Sequence, residues 1–125
     1  MDAYLHAQSS VKAWGGSWED YHHIHLWIDG SKTITADPRH RALRHHAEGI
    51  SLCVQIFGPT ISNSDGRTVM TRHIAERHVE EDLGRVPTWS DWCLNIAFQP
   101  WMMGPRRSKR HPITTLTKQA KESQS

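Results

Sequence analysis

Histidine and aspartate recur at one-turn spacing in two segments of this chain. His25 and Asp29 are four residues apart, and so are His78 and Asp82. On an α-helix such pairs project from the same face, where an imidazole and a carboxylate can both reach one ion. The chain has ten histidines in all, so further donors of this kind are available. The pattern predicts a site for a divalent transition metal, Zn, Mn, Fe or Ni.

Helical periodicity directs both pairs toward the protein interior. In residues 71–83 the apolar side chains share an arc that also contains His78 and Asp82, and His25 and Asp29 border the equivalent arc of the helix that begins near Ser17. Two buried carboxylates that face one core repel each other, and an unpaired one is costly to bury. A metal ion between them would offset this repulsion.

A third helix supplies additional candidates. Asp37-Pro38 is a typical helix start, and the apolar pattern continues to Gly58. In that helix His46 projects into the centre of the apolar arc, and His45 lies at its edge. The predicted ligands are therefore His25, Asp29, His46, His78 and Asp82, with His45 as the substitute for one of them.

A metal-free interpretation stays open. Each aspartate could accept a hydrogen bond from the histidine one turn away, and Lys32, Arg39 or Arg41 could neutralise the remaining charge. The same three cations lie close to predicted helix termini, where they could also bind a phosphate or a carboxylate. An ordinary solvated, ion-paired helix face is the alternative. Glu76 is the predicted general base, although it lies toward the exposed side of its helix.

The elements that must position these residues form a mainly α fold. We predict a compact bundle of about five helices, with a small β-hairpin inserted between helices three and four. Asp2 is the predicted cap of a first helix that extends to Trp14. In it Tyr4, Ala7, Val11 and Trp14 form the packing face and His6 lies near its edge. The remaining helices run from Ser17 to about Gly30, from Asp37 to Gly58, from about Thr71 to Leu83 before Gly84, and from Thr88 through Ile96. A hairpin with its turn at Asn63–Gly66 pairs residues 60–61 with 68–69.

The charge distribution divides the chain in two. Residues 104–125 carry six Lys or Arg and one Glu, whereas residues 1–103 have a small excess of acids. We predict a single helical domain over residues 1–103 and a disordered basic tail over residues 104–125. The tail is the only predicted contact with nucleic acid, and a simple solvated tail is the other interpretation.

Several classes of protein are excluded by composition and motif. No apolar run approaches the ~20 residues of a membrane span, and residues 1–10 lack the layout of a signal peptide, so we expect a cytoplasmic protein. Cys53 and Cys93 are expected to be buried reduced thiols. The sequence has no glycine-rich phosphate loop, no GxSxG motif and no HExxH motif.

Three longer strings carry a resemblance. They are HxWxDxSK at residues 25–32, DxRHRALRHH at residues 37–46 and ExHxxxDxG at residues 76–84. Over residues 3–103 the chain resembles an uncharacterised family of small phage and bacterial proteins. The resemblance implies a phage or mobile-element setting, with the host cytoplasm as the location. A looser similarity is to HD-type metal phosphohydrolases, whose adjacent His-Asp pair is missing here.

Two functions follow from these observations. The first is a metal-dependent hydrolase of a phosphate ester or nucleotide, in which the Arg/Lys rim binds the anion. The second is a non-enzymatic phage accessory protein that binds and inhibits a host defence factor, with a structural His/Asp cluster. The sequence does not separate the two, and it does not predict an oligomeric state.

Overall fold

The computed structural model describes residues 1–105. The described residues divide into two units, Met1–Cys93 and a second one that begins at Leu94. Nearly all of the predicted basic tail lies outside the described residues, and the domain boundary at residue 103 stays a prediction. Within residues 1–105 we find no helix with both the length and the apolar character needed to cross a membrane.

The first unit is mainly helical, as predicted. A two-stranded antiparallel hairpin lies between helices three and four, with Ile61 opposite Val69, which confirms its predicted position. Short 3-10 helices cover Gly30–Thr33 and Pro38–Leu43. The main elements are α1 (Ala3–Trp14), α2 (Glu19–Asp29), α3 (Ala47–Phe57), β1 (Thr60–Ser62), β2 (Thr68–Met70), α4 (Thr71–Leu83) and α5 (Trp89–Cys93).

Local chemistry explains where the outer helices begin and end. The Asp2 carboxylate accepts a hydrogen bond of 2.9 Å from the Leu5 N–H and so caps α1. Gly84 follows α4 with a φ of 79°, a left-handed conformation that glycine adopts without a steric penalty. Its N–H donates to the Glu80 carbonyl at 2.8 Å. Both ends agree with the sequence prediction.

The third predicted helix is interrupted. Residues 38–43 form a 3-10 helix, and His46 then has an extended backbone with φ of −164° and ψ of 172°. The His46 Nδ1 atom accepts a hydrogen bond of 2.9 Å from the Gly49 N–H and so caps α3. The prediction of one continuous helix from Asp37 to Gly58 is therefore wrong at residues 44–46. The side-chain directions inferred for that helix do not extend across the break.

The predicted fifth helix is also too long. The observed helix α5 ends at Cys93, and the Leu94 side chain that follows it is 85% exposed. Within the second unit the described residues include one 3-10 helix, Pro100–Met103. Cys93 is exposed, so the expectation that it is buried is wrong, whereas Cys53 is buried as predicted. Because Cys93 faces solvent, it lacks the apolar contacts that the sequence pattern suggested.

Helix α2 lies at the centre of the first unit and packs against α1, α3 and α4. Its Tyr21, Ile24 and Ile28 are almost completely buried, and burial of a large apolar side chain stabilises a fold by about 1.5–3 kcal/mol. Next to this apolar core the interior holds an unusual number of imidazoles. Within residues 1–105 the buried histidines are His6, His25, His40, His45, His46 and His78.

Candidate metal centre

Four potential metal ligands meet in the interior of the first unit. They are Asp29, His45, His78 and Asp82, and each offers one ligand atom within 4.8 Å of all the others. His78 Nε2 lies 3.1 Å from an Asp29 oxygen and 3.3 Å from Asp82 Oδ2. His45 Nε2 lies 2.9 Å from the same Asp82 oxygen. Adjacent ligands bound at ~2.1 Å to one ion are about 3.0–3.4 Å apart, so these separations fit a shared ion.

The four residues come from three different segments. Asp29 is the last residue of α2, and His78 and Asp82 lie one turn apart on α4. His45 belongs to the non-helical link before α3, where its carbonyl accepts a hydrogen bond of 3.0 Å from the Trp92 indole. His40 packs edge-on against the His45 ring at 5.6 Å. Tertiary packing therefore fixes the His45 side chain, because no regular helix does so.

The cluster is strongly negative before any counter-charge is added. Burial alone raises the pKa of Asp82, but the imidazoles of His45, His6 and His78 outweigh burial and hold that pKa well below its usual value. The pKa of Asp29 is lowered in the same way, chiefly by a hydrogen bond from His78. Both carboxylates are therefore ionised at neutral pH, with their side chains only 8% and 2% exposed.

His78 is one of the groups that can balance this charge when no ion is bound. Burial lowers its pKa, but hydrogen bonds to Asp29 and Asp82 dominate and raise the pKa above 6.5. Burial lowers the pKa of His45, so that ring stays neutral. At the edge of the cluster, Lys32 Nζ lies 3.9 Å from Asp29 and an Arg41 nitrogen lies 3.8 Å from Asp82.

His25 lies behind His78 and contacts its far edge. The two Nδ1 atoms are 2.8 Å apart, and His25 Nε2 is 2.8 Å from the Ser10 hydroxyl. Burial, together with the neighbouring His78 and His6, lowers the pKa of His25 to about 2, so the ring is neutral. If His25 accepts at Nδ1 and donates to Ser10, His78 keeps a proton at Nδ1, and loss of the Nε2 proton to a metal ion would leave the Nε2 lone pair directed at the cluster. The ring nitrogens of His25, His6 and His78 also lie within 4.8 Å of one another, so these three residues form a second possible ligand group.

Several predicted site residues lie elsewhere. His46 caps α3 and its Nε2 contacts the Ala42 carbonyl at 3.1 Å, so the structure does not bring it to the four ligand atoms. Arg39 is 85% exposed and forms an ion pair of 2.7 Å with Asp37. Glu76 is half-buried on α4, two residues before His78, and a separation of two residues points side chains to nearly opposite sides of a helix. By contrast, Lys32 and Arg41 do border the cluster.

Sequence reasoning missed Glu81 and gave His6 only a marginal place. The buried face of α1 consists of Ala3, His6, Ala7 and Ser10, whereas Tyr4 is 42% exposed. The small side chains of that face let α1 approach α2 and α4 closely, and this brings His6 into contact with the cluster. An i, i+4 pattern of small residues around a histidine was the available signal, but aromatic residues dominated the predicted face.

The fold and the cluster together define a class: a mainly helical protein with a buried histidine–aspartate centre of metal-ligand geometry. Residues 1–102 match a family described as a domain of unknown function (DUF6915), and the chain belongs to that family. Searches of curated proteins and of solved structures found no match. The resemblance to an uncharacterised family is thereby confirmed, whereas the phage setting stays a prediction.

Proposed function

We propose that this protein binds one divalent transition-metal ion through Asp29, His45, His78 and Asp82. The observation that carries the proposal is the convergence of two imidazole nitrogens and two carboxylate oxygens, from three segments, within 4.8 Å. Nitrogen and oxygen donors in equal number suit Zn, Mn, Fe or Ni. A proton shared through His78 can hold the carboxylates together, but it leaves polar atoms unsatisfied.

Those unsatisfied atoms favour an ion over a network of hydrogen bonds. Asp29 Oδ2 and Asp82 Oδ1 are buried and have no hydrogen-bond partner among the described residues, and the cations near them are at ion-pair distance only, Lys32 Nζ at 3.9 Å from Asp29 Oδ2 and the Met1 ammonium at 3.5 Å from Asp82 Oδ1. An orphaned buried acceptor costs about 1–3 kcal/mol, and more when it is charged. A divalent ion supplies two positive charges at the point where both carboxylates face each other. It therefore removes a penalty that one proton on His78 removes only in part.

Metal analysis of the purified protein tests the proposal directly. We expect one ion per chain after removal of bound metal with a chelator and reloading with Zn²⁺ or Mn²⁺. Asp82→Asn and His45→Ala should each weaken binding at least about tenfold, because each removes a ligand. Two exposed positions on α4 provide matched controls, and His73→Ala and Glu80→Gln should bind like the wild type. A wild-type protein that takes up none of the four metals would rule out the proposed site.

A hydrolase of phosphate esters or nucleotides is the more specific function that we propose for this site. A bound ion lowers the pKa of a coordinated water and polarises a phosphoryl oxygen. Arg41 and Lys32 supply positive charge at the cluster edge, with side chains 25% and 47% exposed, so an anion could approach from that side. With Mn²⁺, Ni²⁺ or Zn²⁺ bound, we expect hydrolysis of a nitrophenyl phosphate diester or monoester.

Two arginines that differ in location make this test specific. Arg41→Ala should lower turnover of the phosphate ester at least about tenfold, because it removes the charge that pairs with the substrate anion. Arg39→Ala should leave turnover unchanged, since Arg39 pairs with Asp37 at the surface. Equal activity in both variants would contradict anion binding at the cluster edge.

One observation favours a non-enzymatic role. His45 and His78 have 0% exposed side chains, and a fully enclosed ion is typical of structural sites. In that case the protein would act through its surface, for example on a host defence factor. Water-proton relaxation of the Mn²⁺-loaded protein separates the two roles, because an exchanging water on the ion enhances relaxation. Strong enhancement supports the hydrolase, and none supports the structural ion.

A further inference from the structure

A pocket lies on the side of the first unit that α1 forms. Its volume is about 720 Å³, within the range of about 300–1,000 Å³ that is usual for small-molecule sites. Helix α1 provides most of its wall, Trp18 adds to it just before α2 begins, and Arg77 adds to it from α4. None of the four proposed metal ligands lines this space, which we call the α1 pocket. It is therefore separate from the candidate metal centre.

The apolar part of the wall contains an aromatic ring that is held in place. Leu5 and Val11 of α1 lie on this part together with the Trp18 indole. The Trp18 ring packs edge-on against Tyr4 at 5.2 Å and against His22 at 5.1 Å, measured between ring centroids. A surface that is already fixed loses little conformational entropy when a ligand packs on it. The α1 pocket therefore favours a ligand with a flat apolar body.

The charged side chains that line the pocket are both cations. They are Lys12 of α1 and Arg77 of α4. Within residues 1–105 no carboxylate lines the pocket, and Lys12 forms no ion pair. Uncompensated positive charge beside an apolar wall attracts negatively charged ligands. The electrostatics of the pocket therefore select an organic anion.

Contacts within the protein fix Arg77 and leave part of its guanidinium available. Nε donates a hydrogen bond of 2.9 Å to the Ser9 hydroxyl and lies 3.6 Å from Glu81 Oε2. Ser9 donates to the same Glu81 oxygen, and His6 Nδ1 lies 2.8 Å from the other. Both contacts of Arg77 with these residues use Nε. Its two terminal nitrogens can therefore bind a carboxylate or a phosphate through paired hydrogen bonds.

We propose that the α1 pocket binds a small organic anion, with a flat apolar body against Trp18 and its carboxylate or phosphate directed to Lys12 and Arg77. This site goes beyond the proposed function, because it requires no metal ion and shares no residue with the four metal ligands. The apolar wall and the two cations together define the ligand class, since a neutral aromatic compound would leave both cations unpaired and a small inorganic anion would leave the wall uncovered.

Naphthylacetate is the probe for this site, since it joins a flat apolar ring system to one carboxylate. Titrated into ¹⁵N-labelled protein, it should shift the NMR resonances of Ser9, Lys12 and the Trp18 indole in a saturable way, with a Kd below about 1 mM. Naphthylethanol lacks the charge and acetate lacks the rings, so each should bind at least about tenfold more weakly. Shifts that do not saturate, shifts confined to other parts of the protein, or equal binding of naphthylethanol would overturn the proposal.

Charge reversal at Lys12 tests the location of the anion. Lys12 is exposed, so Lys12→Glu should fold, and it should weaken naphthylacetate binding at least about tenfold because repulsion replaces attraction. Arg72→Glu makes the same change in net charge at an exposed position of α4 outside the pocket, and it should bind like the wild type. Equal weakening in both variants would show that only the net charge of the protein attracts the anion. That result, or unchanged binding in Lys12→Glu, would overturn the proposal.

Discussion

His78 Nε2 lies 3.1 Å from Asp29 Oδ1, although the two residues are 49 positions apart in the chain. The sequence suggested pairs within each helix, namely His25 with Asp29 and His78 with Asp82. In the structure one imidazole instead bridges the carboxylates of both helices, and His25 supports that imidazole from behind. The protonation of His78 therefore controls the charge of the whole cluster.

Metal affinity should consequently depend on pH. Asp29 and Asp82 raise the pKa of His78, so at lower pH a proton occupies Nε2 and competes with the ion. Affinity should fall by up to about tenfold per pH unit as the pH decreases through this raised pKa. Calorimetry in buffers of different ionisation enthalpy measures the released proton. Equal affinity and no proton release across this range would contradict a proton on His78.

The metal-free protein should lose stability in acid partly through Asp82. Its pKa is lower in the folded than in the unfolded state, so its contribution to stability is complete above the unfolded value of 3.8 and decreases as the pH falls toward the folded value. The difference in unfolding free energy between the wild type and Asp82→Asn should therefore shrink below pH 3.8. Urea unfolding at several pH values measures it, and a pH-independent difference would refute the assignment.

Gly49→Ala tests the link that carries His45. Alanine normally favours a helix over glycine by about 1 kcal/mol, but here a Cβ would overlap the backbone carbonyl of Arg44. Because the Arg44 carbonyl belongs to the backbone, it cannot move aside alone, and the link at residues 44–46 must shift. We expect a loss of about 1–3 kcal/mol in unfolding free energy together with weaker metal binding. Ser51→Ala on the same helix is the control, and a stabilising Gly49→Ala would contradict this packing.

The two cysteines should differ sharply in reactivity. Burial raises the pKa of Cys53 to about 12, whereas Cys93 is exposed. A thiol reagent at neutral pH should modify Cys93 within the time of mixing and Cys53 only upon unfolding. Cys93→Ser then serves as the control, because it should abolish the fast phase. Rapid modification of both thiols in the native protein would show that the interior is open.

The fold could be predicted from the sequence where local signals are strong. Asp2, Gly84 and the hairpin around Asn63–Gly66 each determine a boundary through capping or turn chemistry, and the structure confirms all three. Local signals failed at residues 44–46, where Gly49 packs against the Arg44 carbonyl and His46 caps the next helix. Those contacts join residues only a few positions apart, but apolar periodicity does not report them.

The candidate site was predictable to the extent that it depends on helical faces. His78 and Asp82 lie on α4 as the periodicity indicated, and Asp29 faces them from α2. The exchange of His46 for His45, and the contacts of His6 with Glu81, depend instead on how segments pack in three dimensions. A sequence gives no direct measure of such distances, so these contacts required the structure.

The proposed ligands lie in three segments of the first unit, from Asp29 at the end of α2 to Asp82 near the end of α4. An ion held by all of them would act as a cross-link that forms only in the folded state, and it would stabilise that state by ~2.7 kcal/mol at a free concentration 100-fold above Kd. In a cell, the amount of folded protein would then follow the supply of metal. When that metal is scarce, more of the chain would be unfolded and open to degradation, so the amount of protein would fall.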